Sequence, residues 1–262
     1  MGNETVSFYS RRILTEQGMV EGVLQVADGK FAGLIENPNP AQIAAARDFA
    51  DQRIFAGIID LHSHGYRSWS AKTIDKAEIQ GLSKILPSIG VTATLATTSG
   101  WKAHEMEMLS AIAEALDEGV TGARILGIHM EGPFFNPDKH NATPREEVIL
   151  PSVEKCEAYW QAARGKIKYM TLAPEMPGAA ETIHWLREHG IVAGAGHTLA
   201  DDEQMRQAVR NGIQVSIHTG NAMRQIDRRD IGALGAALLD PEVVCEIICD
   251  FYHLAPRMLE IM

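Results

Sequence analysis

Hydrophobic positions follow two regimes along the chain. From Val6 to Ile54 they come in short, partly alternating runs. Val6-Ser-Phe-Tyr9, Val23-Leu-Gln-Val-Ala27 and Phe31-Ala-Gly-Leu-Ile35 read as strands, with Asp28-Gly29 as a hairpin turn between the last two. Pro38, Pro40 and the alanine-rich run to Ala50 read as a loop with a short helical turn. From Phe55 onward, apolar runs of strand length alternate with amphipathic stretches of helix length. That alternation is the signature of parallel strands joined by crossover helices. Strands are predicted over residues 55–61, 91–97, 124–131, 167–173, 191–196, 214–217 and 243–249. Helices are predicted over 75–89, 104–118, 153–164, 179–189, 200–212 and 234–239, with the opening turns of another at 255–262.

Seven βα units imply an α/β fold of the TIM-like (β/α) barrel type, preceded by a small β-rich piece. The expected division is 1–54 for the β-rich segment and 55–262 for the barrel. A closed barrel takes an eighth strand between the seventh and the first. The barrel is therefore expected to be incomplete at its C-terminal end, unless another chain or a longer polypeptide closes it.

Composition narrows the class. With 24 basic and 34 acidic residues the formal charge is −10, which argues against nucleic acid as a partner. No apolar run approaches the ~20 residues that span a bilayer, and the N-terminus lacks the basic start and apolar core of a signal peptide. Three scattered cysteines (Cys156, Cys245 and Cys249) do not form a disulfide framework. Cys245 and Cys249, four apart in the seventh predicted strand, are expected to be buried on one face. A cytoplasmic protein is expected.

The chemistry gathers at strand ends. The third strand delivers Glu131 and then breaks at Gly132-Pro133. The first ends in His62-Ser-His64, whose two side chains share a face. His197 and His218 follow the fifth and sixth strands. Barrel enzymes assemble active sites at the C-terminal ends of their strands. Imidazole and carboxylate are the usual ligands of zinc and related ions, so these five groups predict a metal site centred on Glu131. His129 is expected to face away from it. His104, His184 and His189 fall in helical stretches and are expected at the surface.

Five segments occur in one order: Asp60-Leu-His-Ser-His-Gly65, His129-Met-Glu-Gly-Pro133, Thr171-Leu-Ala-Pro-Glu175, Gly196-His197 and His218-Thr-Gly-Asn-Ala-Met223. Together they resemble the N-acetylglucosamine-6-phosphate deacetylases of the amidohydrolase superfamily, from the N-terminal β piece to about His253. The resemblance implies metal-dependent hydrolysis of the acetamide of N-acetylglucosamine 6-phosphate, giving glucosamine 6-phosphate and acetate in amino-sugar catabolism. It implies Glu131, His197 and His218 as principal ligands of a divalent ion, and His62 and His64 as holders of a second one. Zinc is the expected ion, with iron, manganese or cobalt as alternatives. It further implies His253 at the substrate carbonyl, Asn221 and Ala222 at the phosphate, Arg229 as the phosphate-binding arginine, and His140 near a substrate loop. A homodimer acting on a small molecule, with no nucleic-acid or membrane partner, follows from the same likeness.

The sequence departs from the pattern in three places. The family's general base, an aspartate closing the eighth strand, has no match here; Asp60 and Asp250 lie at strand ends but not at its position. Lys139-His140-Asn141 differs from the family's loop, and Thr219-Gly220 replace larger residues. The alternatives are another amidohydrolase, or a truncated chain that binds sugar phosphate without turnover.

Overall fold

The computed structural model describes residues 5–100 and 102–262. It divides into two compact units, one running to Ile58 and one from Ile59. The first unit is a sheet built on β1 (Thr5–Thr15), β2 (Gly18–Ala27) and β3 (Lys30–Glu36), consecutive antiparallel neighbours. Ala27 pairs with Lys30 across Asp28 and Gly29, both at positive φ (52° and 71°), the backbone that a two-residue hairpin turn requires. After α1 (Pro40–Ala44), opened by an Asn39/Gln42 capping box, β4 (Arg47–Asp48) and β5 (Arg53–Ile54) run parallel to β1. β1 extends well beyond Val6-Ser-Phe-Tyr9. A register shift between Ser10 and Ile13 absorbs Ser10-Arg-Arg12, which interrupts the apolar pattern, and buried Ser10 donates to the Gln52 carbonyl at 2.5 Å.

The second unit is organised around a seven-stranded sheet. Its strands are β6 (Ile58–Ser63), β9 (Val91–Ser99), β10 (Arg124–Glu131), β11 (Ile167–Leu172), β12 (Val192–Ala195), β13 (Ile213–Ser216) and β14 (Val244–Cys245). A small hairpin, β7 (Gly65–Tyr66) with β8 (Trp69–Ser70), follows β6. The crossovers carry α2 (Lys76–Ile85), α3 (Glu105–Glu118), α4 (Val153–Ala162), α5 (Ala179–Glu188), α6 (Asp202–Asn211) and α7 (Gly232–Leu239), and α8 (Pro256–Leu259) ends the chain. Strand order follows chain order, and the pairings from β9 through β14 are parallel. Met170 and Leu172 of β11 turn to the large core under the helices, together with Ile128, Met130, Leu109, Ile112 and Leu186. Tyr169 turns to the other face and packs with Leu95 and Ile217.

The sheet curls strongly. β6 and β14 are at opposite ends of it, and six strand spacings would separate them by roughly 29 Å if it lay flat. Yet the ring of His62 on β6 lies 3.2 Å from the carboxylate of Glu246, the residue after β14. This is the curvature of a (β/α) barrel, with seven strands among the described residues.

The predicted seventh strand shrinks to two residues. Glu246 still donates to Ser216 O (2.9 Å) and accepts from Thr219 N (2.7 Å), and the chain then leaves the sheet. β14 pairs with β13 on one side alone among the described residues, so little holds residues 247–249 extended. Cys249 is therefore exposed and Cys245 half-buried, where both were expected to be buried. His189 departs from its expected surface position in part: it is half-buried and stacks on Trp185, ring centroids 3.8 Å apart.

Candidate metal centre

Glu131 ends β10 at the C-terminal mouth of the sheet, and its carboxylate is the point on which four imidazoles converge. Oε1 lies 3.2 Å from His218 Nε2, 3.3 Å from His197 Nε2 and 3.5 Å from His62 Nε2, while Oε2 lies 3.0 Å from His64 Nε2. They form two ligand groups that share the carboxylate, His62/His64/Glu131 and Glu131/His197/His218. Within each, the ligand atoms lie within 4.8 Å of one another.

Outer contacts decide which nitrogen faces inward. His197 Nδ1 lies 2.7 Å from the Lys139 carbonyl, and His64 Nδ1 3.1 Å from the Thr97 carbonyl. A carbonyl only accepts, so Nδ1 carries a proton in both rings, and Nε2 is the nitrogen turned toward Glu131 and left to ligate a cation. His62 Nδ1 faces Glu246 Oε2 in the same way. His197 Nε2 and His218 Nε2 are 3.1 Å apart, beside a carboxylate. Lone pairs at that separation repel unless a positive charge lies among them. The donor set therefore fits a divalent cation of the zinc type.

The electrostatics agree. Burial opposes charge on Glu131, but hydrogen bonds with His197, His218, His62 and His64 outweigh it and hold the carboxyl far below its usual range. Burial likewise pulls His62 down, yet Glu131 and Glu246 outweigh it and lift the imidazole to about 9. Without a cation, the site holds a proton instead.

Backbone strain sits at the same places. His197 (φ 49°) and His218 (φ 28°) are non-glycine residues in left-handed conformations, which cost energy and concentrate where function demands them. His197 is braced by Asn136 N–H donating to its carbonyl (2.9 Å) and by Phe135 stacked on its ring at 4.0 Å. Gly132 permits that stacking: its φ is 87°, and a Cβ there would lie 2.6 Å from the Phe135 ring.

His129 does not face away from Glu131. Residues two apart on a strand share a face, and its ring centroid lies 4.7 Å from that of His62. It is fully buried, stacked on Tyr169 at 4.0 Å, with Nε2 2.9 Å from Thr171 Oγ1. Burial, then the His62 charge, push its pKa well below 6.5, so it is a neutral wall of the site.

The remaining expected site residues belong to neither ligand group. Asn221 donates to the His218 carbonyl from its backbone N–H (2.8 Å) and its side chain (3.2 Å). Ala222, at φ 48°, accepts from Thr198 N–H at 3.0 Å. Arg229 is exposed, in a surface depression that it shares with Asp201, Asp202, Glu203 and Asp227. His253 Nδ1 pairs with Asp250 Oδ2 at 2.7 Å, and both are largely exposed. His140 Nδ1 lies 2.7 Å from the Thr143 carbonyl. Asp60 Oδ1 accepts from His62 N–H (3.1 Å), and neither Asp60 nor Asp250 belongs to either ligand group among the described residues.

Sequence reasoning missed Glu246, Thr97 and Lys139. Glu246 had a readable signal, a lone carboxylate inside the apolar run Val243-Val-Cys-Glu-Ile-Ile-Cys249. Thr97 and Lys139 act through backbone carbonyls, which leave no trace in side-chain identity.

The model of the Amidohydrolase family matches residues 53–262. The chain belongs to that family. Among curated amidohydrolase relatives, the N-acetylglucosamine-6-phosphate deacetylase of Vibrio furnissii is 31% identical over 97% of this chain and 64% of its own length. That of Bacillus subtilis is 33% identical over 93% of this chain and 63% of its own. The crystal structure of N-acetyl-D-glucosamine-6-phosphate deacetylase from Mycobacterium smegmatis superposes with a TM-score of 0.89 at 28% identity, over 97% of this chain and 66% of that one. The chain thus spans just under two thirds of the length of these amidohydrolases.

Proposed function

We propose that this chain carries the metal-binding part of a deacetylase acting on an N-acetylated amino-sugar 6-phosphate, N-acetylglucosamine 6-phosphate in the first instance. The observation that carries the reading is the convergence of His62, His64, His197 and His218 on the Glu131 carboxylate. The names of the relatives supply the substrate class.

Glu131, His197 and His218 would hold one divalent cation, zinc by donor chemistry, and His62 and His64 a second one sharing Glu131. When bound, such a cation lowers the pKa of coordinated water toward ~7 and polarises a carbonyl. The protein's own part is orientation. Thr97 O and Lys139 O fix the His64 and His197 tautomers, and Glu246 does the same for His62. His129, neutral and stacked on Tyr169, closes the floor. Asp250 holds Nδ1 of His253, which leaves Nε2 to meet the substrate carbonyl. Asn221, Ala222 and Arg229 are the proposed phosphate contacts, with Arg229 offering a planar, bidentate fork. His140 is a further proposed substrate contact. A cytoplasmic setting matches the three free cysteines; among the described residues, no helix is long and apolar enough to cross a membrane. A homodimer is proposed on family likeness.

The test is acetate release from N-acetylglucosamine 6-phosphate, from N-acetylglucosamine and from an N-acetyl amino acid, by zinc-loaded chain. Acetate from the phosphorylated sugar alone supports the reading. Equal release from both sugars, or release from the acetyl amino acid alone, directs it to another amidohydrolase activity. Tight binding of the sugar phosphate without acetate release identifies a binding form without turnover.

A further inference from the structure

The cluster explains what His197 points at, but not what keeps its backbone left-handed. Glu175, three residues past β11, supplies an answer. Its Oε1 accepts from Asn136 Nδ2 at 2.9 Å and from Leu199 N–H at 2.6 Å, and its Oε2 accepts from Thr198 Oγ1 at 2.5 Å. These donors belong to two loops other than its own. Asn136 lies in the loop after Glu131, and its own N–H donates to the His197 carbonyl at 2.9 Å. Thr198 and Leu199 directly follow His197. Thr198 also donates its N–H to Ala222 O at 3.0 Å, in the loop that carries His218. One carboxylate therefore joins the loops after β10, β11 and β12, and through Thr198 reaches a fourth. The loop that follows Glu131 and those bearing His197 and His218 all connect to it.

We propose that Glu175 is a positioning residue for the metal centre, fixing Thr198 and Leu199, which follow His197, and Asn136, which braces its carbonyl, so that its imidazole is held toward Glu131 before any cation arrives. The inference rests on the metal centre proposed above. A carboxylate suits the task because it accepts three hydrogen bonds without donating. A neutral amide in its place would keep the shape but set an N–H donor against the Thr198 hydroxyl, which now donates there. Preorganisation of this kind acts on affinity: loss of an outer partner of a metal ligand typically weakens metal binding about 10–100-fold.

The test is titration of the metal-stripped full chain with Co(II), read by visible absorption, for the parent, Glu175→Ala, Glu175→Gln and Glu131→Gln. Melting of each metal-free protein is recorded alongside. Glu175→Ala is expected to bind Co(II) about 10–100-fold more weakly, and Glu175→Gln about 3–10-fold more weakly. A folded Glu175→Ala that binds within twofold of the parent, with a lowered metal-free melting temperature as its whole effect, overturns the positioning role and leaves a structural one. If Glu175→Ala does not fold, Glu175→Gln decides on the same twofold criterion. Glu131→Gln separates the two readings. If it binds Co(II) as the parent does, the metal centre itself is wrong; if it loses binding while the Glu175 variants keep theirs, the inference alone fails.

Discussion

Glu131 is a buried carboxylate whose charge is held by four imidazoles, so its neutral isostere removes what gathers them. Glu131→Gln is expected to weaken zinc binding by more than about 100-fold, beyond the range for loss of an outer partner. His62 gives a pH prediction. Its pKa in the metal-free chain is raised from 6.5 to about 9, so its charged form stabilises the fold fully below about 6.5. That contribution is lost as pH climbs through about 9. The metal-free chain should melt at progressively lower temperature across that window. A cation competes for the same nitrogen, so zinc affinity should rise with pH up to about 9 and binding at pH 7 should release a proton. Calorimetric titration in buffers of different ionisation enthalpy reads that proton directly. No release at pH 7, or metal-free melting that rises across the window, contradicts the assignment.

At the scale of elements, a strand places each ligand and a tight turn lets it point inward. Gly132→Ala would force an alanine to φ 87° with its Cβ against the Phe135 ring, and is expected to cost about 1–3 kcal/mol in urea unfolding. Tyr169 makes the opposite case. Its hydroxyl is buried near Glu246 without meeting hydrogen-bond geometry, and has no partner among the described residues. Burial, then the Glu246 charge, push the phenol above its usual range. Removing that hydroxyl in Tyr169→Phe should therefore change stability by less than about 1 kcal/mol, because no hydrogen bond is lost. A loss above about 2 kcal/mol would reveal a partner. The same scale shows what the sequence made legible. Period and punctuation located each strand of the curled sheet and put Glu131, His62, His64, His197 and His218 at strand ends, because buried parallel strands read as apolar runs. They overextended β14, whose apolar residues lack a second strand beside them. They misplaced His129 because adjacency in sequence stood in for strand parity. The clamp on His197 was illegible, since backbone carbonyls and amides make most of it.

In the whole molecule, the cluster joins parts distant in sequence: β6, the end of β10, and the loops after β12 and β13. A cation gripping all of them should stabilise the fold by linkage, about 2.7 kcal/mol at one hundred times its dissociation constant. Chelation should accordingly lower the melting temperature, with less effect on a variant lacking Glu131. The central claim is that one carboxylate and imidazoles from separate strands form a single cation site. Its most direct measurement is zinc content by mass spectrometry after loading and exhaustive dialysis, for the parent and Glu131→Gln side by side. One or two zinc ions retained per parent chain and none in Glu131→Gln is the result predicted here. Equal zinc in both proteins, or none in either, would contradict it.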